Sequence, residues 1–104
     1  MNGEPLHRAD IELVVLEAVR ITNLAREPEH QLRATIDSVL YGAGSPLDSL
    51  GLVSLLIEVE EGLRDRGVEI TLSDERALSQ KHSPFRSATS LVDYIQLLQS
   101  KPAE

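Results

Sequence analysis

Cysteine and tryptophan are absent from this chain, and phenylalanine occurs once among its 104 residues. Without cysteine there can be no disulfide framework, thiolate metal site or thiol nucleophile. Aromatic residues make up only 3% of the sequence, so a core must be built from leucine, isoleucine, valine and alanine. This composition favours packed helices over a β-sandwich or barrel, because those folds are richer in β-branched and aromatic residues.

Long hydrophobic runs are also missing. No stretch approaches the roughly 20 apolar residues that a membrane-spanning helix needs. The first residues, Met1–Asp10, are too polar for a signal peptide. We therefore expect a cytoplasmic protein that does not insert into membranes.

Basic residues are scarce relative to acidic ones: 10 lysines and arginines stand against 17 aspartates and glutamates, for a net charge of −7. This balance argues against nucleic-acid binding, which depends on neutralising phosphates. It fits a monomeric protein that is steered toward basic partner surfaces. With a hydrophobic content of 41%, the length predicts a single domain. We place that domain at residues 10–99, between flexible tails at 1–9 and 100–104.

Two long helices are predicted in the first two thirds of the chain. The first begins at Asp10 as N-cap and ends near Leu24–Arg26, and the second runs from Ser49 to about Arg66, where Gly67 stops it. In each helix apolar residues recur at spacings of three and four, which indicates one buried stripe. The stripes are Ile11, Val14, Val15, Ala18, Val19 and Ile21 in the first helix, and Leu52, Leu55, Leu56, Val59 and Leu63 in the second.

The remaining segments complete a helical architecture. Residues 27–47 read as an ordered loop with a short turn near Glu29–Arg33, and Val68–Leu72 reads as an extended connector. Ser73 or Asp74 caps a short helix that reaches Gln80, and Ser87 caps a last helix over Ala88–Gln99. The expected fold is an all-α antiparallel four-helix bundle, with three long helices, one short helix and a long loop between the first two.

The start of the second helix is the strongest candidate site. Asp48 is a good N-cap, which places Ser49 at the first helical position. Free amides and the helix dipole both favour an anion there. We therefore expect the hydroxyl of Ser49 to be exposed where a phosphodiester would be tolerated.

The second helix also carries a second apolar stripe, formed by Leu50, Val53 and Ile57. An ordinary surface helix has one such stripe. A second stripe must cover another helix, a ligand or a partner. Acidic residues flank it: Glu58, Glu60 and Glu61.

The sequence Asp48-Ser49-Leu50 at the start of a second helix resembles the acyl carrier protein and peptidyl carrier protein family. The resemblance covers about residues 10–98. Its further matches are Leu47 before the motif, Val53, Leu55 and Leu56 after it, the acidic pair Glu60-Glu61, Ile70 before the short helix, and Ser87-Ala88 with Val92-Asp93-Tyr94-Ile95 around the last helix.

The resemblance implies a function that composition and spacing do not. Ser49 would carry 4′-phosphopantetheine, joined to it from coenzyme A by a phosphopantetheinyl transferase, with Asp48 and Leu50 beside the attachment point. An acyl or aminoacyl group would ride on the arm as a thioester, in lipid, polyketide or nonribosomal-peptide-type biosynthesis. Partner enzymes with basic docking patches would recognise Val53, Ser54, Ile57, Glu58, Glu60 and Glu61. Gly51 and Ser54 replace acidic residues that are common in fatty-acid carriers, which indicates a specialised, free-standing member.

Two other classes of function were weighed. Catalysis is poorly supported, since Ser49 lies in no Gly-x-Ser-x-Gly elbow, and the neighbours Glu58 and Glu61 are badly placed for paired-carboxylate chemistry. The three histidines share no ligand spacing, so we expect neither a metal site nor an enzyme. The alternative to a carrier is a helical adaptor without a cofactor, which binds a partner through Leu50, Val53 and Ile57.

Overall fold

The computed structural model describes residues 6–41, 45, 47–72 and 85–100. These ranges contain the helices α1 (Arg8–Leu24), α2 (Ser49–Asp65) and α3 (Ala88–Ser100), with a 3₁₀ turn at Pro28–His30. They contain no β-strand, so the all-α prediction is confirmed. The short helix predicted from Ser73 or Asp74 to Gln80 lies outside the described residues, as do residues 1–5 and 101–104.

Helix α1 packs against both other helices and supplies the centre of the core. The predicted core stripe of α2 is fully confirmed, and that of α1 is confirmed except at Ile21, whose side chain is 40% exposed. At 3.6 residues per turn Ile21 lies about 90° from the centre of the α1 stripe, so it cannot face the same neighbours. The core residues of the three helices are Ile11, Val14, Val15, Ala18 and Val19, then Leu52, Leu55, Leu56, Val59 and Leu63, then Ala88, Leu91, Val92 and Ile95.

The first helix begins earlier than its sequence predicted. The prediction that Asp10 caps α1 is wrong, because the N-cap is His7, whose carbonyl accepts from the amides of Asp10 at 3.0 Å and Ile11 at 3.1 Å. Contacts with α3 account for the difference. The Arg8 guanidinium donates to Asp93 at 2.7 Å, and the hydrogen bond raises the pKa of Arg8.

Residues 6–9, predicted to belong to a flexible tail, are therefore held by α3. The amide of Leu6 donates to the side-chain oxygen of Gln99 at 2.9 Å, and the Gln99 amide group donates back to the Leu6 carbonyl at 3.3 Å. Arg8 adds a hydrogen bond to Gln96 at 2.6 Å. All these bonds join residues more than eighty positions apart, which is why local sequence did not indicate them.

The loop between α1 and α2 is ordered, as predicted, where the structure describes it. Asn23 clamps its first half, because its side chain donates to the Leu32 carbonyl at 2.9 Å and accepts from the Leu32 amide at 2.8 Å. Its second half is tied to the start of α3. The Leu40 amide donates to the Arg86 carbonyl at 2.7 Å, and the Ala88 amide donates to the Ser38 carbonyl at 2.9 Å. The short turn falls at Pro28–His30 rather than at Glu29–Arg33.

Both ends of the connection after α2 are fixed. Gly67, with φ +86°, completes a Schellman motif in which the Val68 amide donates to the Leu63 carbonyl at 2.9 Å, confirming it as the stop of α2. Leu72 is fully buried and its amide donates to the carboxylate of Glu60. Phe85 is also fully buried, with its ring edge-on to Tyr94 at a centroid distance of 5.8 Å.

Gly62 lies at a close contact between α1 and α2. A Cβ atom placed on Gly62 would lie 2.9 Å from Cγ1 of Val14, closer than real Cβ contacts allow. A γ-methyl of valine cannot swing away without changing the rotamer of a stiff side chain. Glycine at this position therefore sets the spacing of the two helices.

We predict that Gly62→Ala lowers the free energy of unfolding by about 1–3 kcal/mol, because overpacking outweighs the better helix propensity of alanine. In a Val14→Ala background, the same substitution should be neutral or stabilising. Urea denaturation of the four proteins in this double-mutant cycle measures the coupling. An equal effect of Gly62→Ala in both backgrounds would show that Val14 is not the obstacle.

Candidate functional site

The N-terminus of α2 is capped as its sequence predicted. Asp48 is extended (φ −90°, ψ −174°), and its Oδ1 accepts from the amide of Gly51 at 2.8 Å. Its carbonyl accepts from the amide of Leu52 at 2.9 Å. Ser49 is therefore the first residue of the helix, as the sequence predicted. The Ser49 side chain is outside the described part of the chain.

The approach to α2 is anchored in the core. The hydroxyl of Ser45 donates to the Leu40 carbonyl at 2.8 Å and accepts from the amide of Leu47 at 3.1 Å. Leu47 is buried, and a Cβ atom on Gly51 would come within 3.1 Å of its Cδ2 atom. Glycine at position 51 thus leaves room for Leu47 beneath the first turn. This gives Gly51, a departure from the carrier pattern, a local packing role.

The second apolar stripe of α2 faces away from the core. Leu50 is 75% exposed and Ile57 is 42% exposed, with Val53 half-buried beside them. Ser54 is exposed on the same side of the helix. An apolar surface therefore begins one residue after Ser49 and continues along the helix for two turns.

The three glutamates predicted to flank this stripe have different surroundings. The carboxylate of Glu60 accepts from the Leu72 amide, so it holds the connector that follows α2. Glu58 and Glu61 lie instead beside α1, where they line a groove between the two helices. No cation of the described residues comes within 4.0 Å of either carboxylate. Within the described ranges, Glu60 thus has a contact within the fold that Glu58 and Glu61 lack, and the expectation that all three belong to a partner face stays a prediction.

The groove between α1 and α2 was missed by the sequence analysis. Its lining includes the apolar residues Leu13 and Ile21 of α1, together with Gly62 of α2. Two signals were present in the sequence: Leu13, an apolar residue off the predicted core stripe of α1, and a glycine inside an otherwise regular helix. Neither signal shows by itself that the two features come together.

Several kinds of site are not found among the described residues. Those ranges hold no group of three or more histidine, aspartate or glutamate side chains arranged to bind a metal ion. No buried polar side-chain atom in them lacks a hydrogen-bond partner. None of the described helices has the length and apolarity needed to cross a membrane. Outside the helices, the Thr35 hydroxyl donates to Asp37 at 2.6 Å, and this hydrogen bond lowers the pKa of that carboxyl.

Comparison of the chain with family models, curated proteins and solved structures finds no match. The functional interpretation of α2 therefore rests on its own residues and geometry.

We predict that Asp48→Ala lowers the free energy of unfolding by about 1 kcal/mol, because the amide of Gly51 loses its acceptor. Asp48→Asn should retain most of the stability, since asparagine is an equally good N-cap. Urea denaturation followed by circular dichroism compares the three proteins. Equal stabilities for Asp48→Ala and the parent would mean that the cap does not hold the helix start.

We predict that Ile57→Asp leaves the helical fold intact, because the side chain at this position is partly in water. Leu56→Asp, one residue earlier and fully buried, should unfold the protein or cost about 4 kcal/mol or more, since it would bury a carboxylate. Far-ultraviolet circular dichroism and thermal melting measure both. Unfolding of the Ile57→Asp variant would assign the second stripe to the core.

Proposed function

We propose that this protein is a carrier of the acyl carrier and peptidyl carrier type, with 4′-phosphopantetheine attached to Ser49. One observation carries the proposal: a capped helix start places Ser49 at the first helical position, directly before an exposed apolar face on the same helix. The resemblance of Asp48-Ser49-Leu50 and of residues 87–95 to that family supplies the identity of the group.

The described residues suit such an arm. A phosphodiester is an anion, and the N-terminus of a seventeen-residue helix has amides and a dipole that favour one. The carboxylate of Asp48 is engaged by the Gly51 amide, which orients it along the cap. Leu50 and Ile57 offer apolar surface next to the attachment point. When bound, the arm supplies a terminal thiol that carries the acyl or aminoacyl group as a thioester.

In this proposal the protein is not an enzyme but a positioning device. It tethers a cargo and thereby raises the cargo's effective concentration at the active sites of partner enzymes. Its partners are a phosphopantetheinyl transferase and the enzymes that load and use the cargo in lipid, polyketide or nonribosomal-peptide-type biosynthesis. Basic patches on those enzymes would meet an acidic surface that includes Glu61, with Val53, Ser54 and Ile57 as the apolar part of the contact.

The finer architecture belongs to the same proposal. We propose a fourth, short helix between the connector and α3, which would complete an antiparallel carrier-type bundle. The two residues that bracket this segment, Leu72 and Phe85, are both fully buried. A short amphipathic helix is a way for a chain to join two such buried residues with its backbone hydrogen bonds satisfied, and Ser73 or Asp74 is a suitable cap for one.

A second candidate function is an adaptor without a cofactor. The exposure of Leu50 and Ile57 favours it, because an apolar face on water is typical of a protein-binding surface. An adaptor would use this face without any modification of Ser49. The two candidates therefore differ in whether the serine is modified.

We predict that incubation with coenzyme A and a broad-specificity phosphopantetheinyl transferase raises the intact mass of the protein by one phosphopantetheine. Ser49→Ala should abolish the gain. Ser54→Ala is the matched control, since Ser54 is an exposed serine in the same helix, and it should be modified like the parent. No mass gain in the parent, or a gain that persists in Ser49→Ala, contradicts the carrier proposal and leaves the adaptor.

A further inference from the structure

A groove runs between α1 and α2 on the side of α2 that faces away from the connector. Its floor includes Gly62 and Val14, where the two helices are in close contact. Leu13 and Ile21 stand at its α1 side and are 54% and 40% exposed. These two side chains form an exposed apolar surface that is not part of the core.

The rim of this groove is acidic. Glu58, Glu61 and Asp65 line its α2 side, and no cation of the described residues lies within 4.0 Å of them. The two arginines at the groove are already in ion pairs: Arg20 with Glu17 at 3.1 Å and Arg66 with Asp10 at 3.8 Å. Three carboxylates are thus left to face whatever fills the groove.

We propose that this groove binds a basic amphipathic helix of a partner protein. Leu13 and Ile21 are eight residues apart, which is about 12 Å along α1 and matches apolar side chains two turns apart on a docked helix. Lysine or arginine residues on its flanks would meet Glu58, Glu61 and Asp65, in the helix-in-groove mode of peptide recognition.

The charge of the groove selects this occupant over others. A second copy of the chain carries a net charge of −7 and would be repelled by the acidic rim. A fatty acid, a nucleic acid or an anionic membrane would bring further negative charge against the same three carboxylates. The α2 residues that line the groove begin at Glu58, nine positions after Ser49, so the proposal does not rest on the attachment of an arm.

The test uses the full chain, isotope-labelled for amide chemical-shift mapping, and a synthetic helical peptide of about five turns. The peptide has leucines three and four positions apart on one face and lysines on both flanks. Saturable shifts are expected at residues 13–21 and 58–66. Glu58→Lys combined with Glu61→Lys should weaken binding by about tenfold or more, since attraction at the rim becomes repulsion.

Matched controls separate the groove from general charge. Glu29→Lys combined with Glu69→Lys changes the net charge equally at exposed positions away from the groove, and should alter binding far less. Leu13→Ser should weaken binding, whereas Leu97→Ser, at an equally exposed leucine of α3, should not. Circular dichroism verifies that each variant is folded. If a double variant does not fold, its two single substitutions are measured separately in its place.

Four outcomes would overturn the proposal. They are the absence of saturable shifts, shifts centred on residues 50–57, equal weakening by the two charge-reversed pairs, and equal binding of a peptide with glutamates in place of lysines. Sedimentation of the chain alone tests whether a second copy of the chain occupies the groove instead. Self-association that Leu13→Ser abolishes would assign the groove to a second copy of this chain.

Discussion

The structure depends on the packing of α1 against both α2 and α3 through a stripe of small and branched aliphatic side chains. With a single phenylalanine and no tryptophan, the core cannot be filled by a few large rings, so the helix backbones must come close. At Gly62 the helices α1 and α2 are so close that a Cβ atom would lie only 2.9 Å from Cγ1 of Val14. Around this contact, Arg8 and Leu6 fasten the start of α1 to α3, and Asn23 fastens its end to the loop.

The candidate site is a consequence of this packing. Because Leu55, Leu56 and Val59 of α2 are buried in the core, Leu50 and Ile57 on the opposite side of the same helix are exposed to water. The cap at Asp48 and the buried Leu47 fix where the helix begins, and hence where Ser49 lies along it. Helix α2 therefore carries three distinct features: a serine at its start, an exposed apolar face after that serine, and an acidic groove beside the face.

Features that depend on local sequence could be predicted, and those that depend on distant contacts could not. The caps at Asp48 and Ser87 are local, and both were predicted correctly: the Ser87 hydroxyl accepts from the Ser90 amide at 3.1 Å. The stop of α2 at Gly67 was predicted for the same reason. The start of α1 was not, because it is set by α3 through Asp93. The hydrogen bond of Glu60 could not be predicted either, because its donor is the backbone amide of Leu72, twelve positions away. The groove could not be predicted because it exists only where α1 and α2 lie side by side.

The central claim concerns the chemical state of one residue, and fragmentation mass spectrometry of the protein isolated from its native cell addresses it most directly. The account predicts that the proteolytic peptide containing Ser49 carries phosphopantetheine, free or acylated, in at least part of the population. Assignment of that group to Ser49 would also reveal the cargo through the mass on its thiol. Recovery of this peptide only in unmodified form, under conditions in which known carriers from the same cells are modified, would contradict the account.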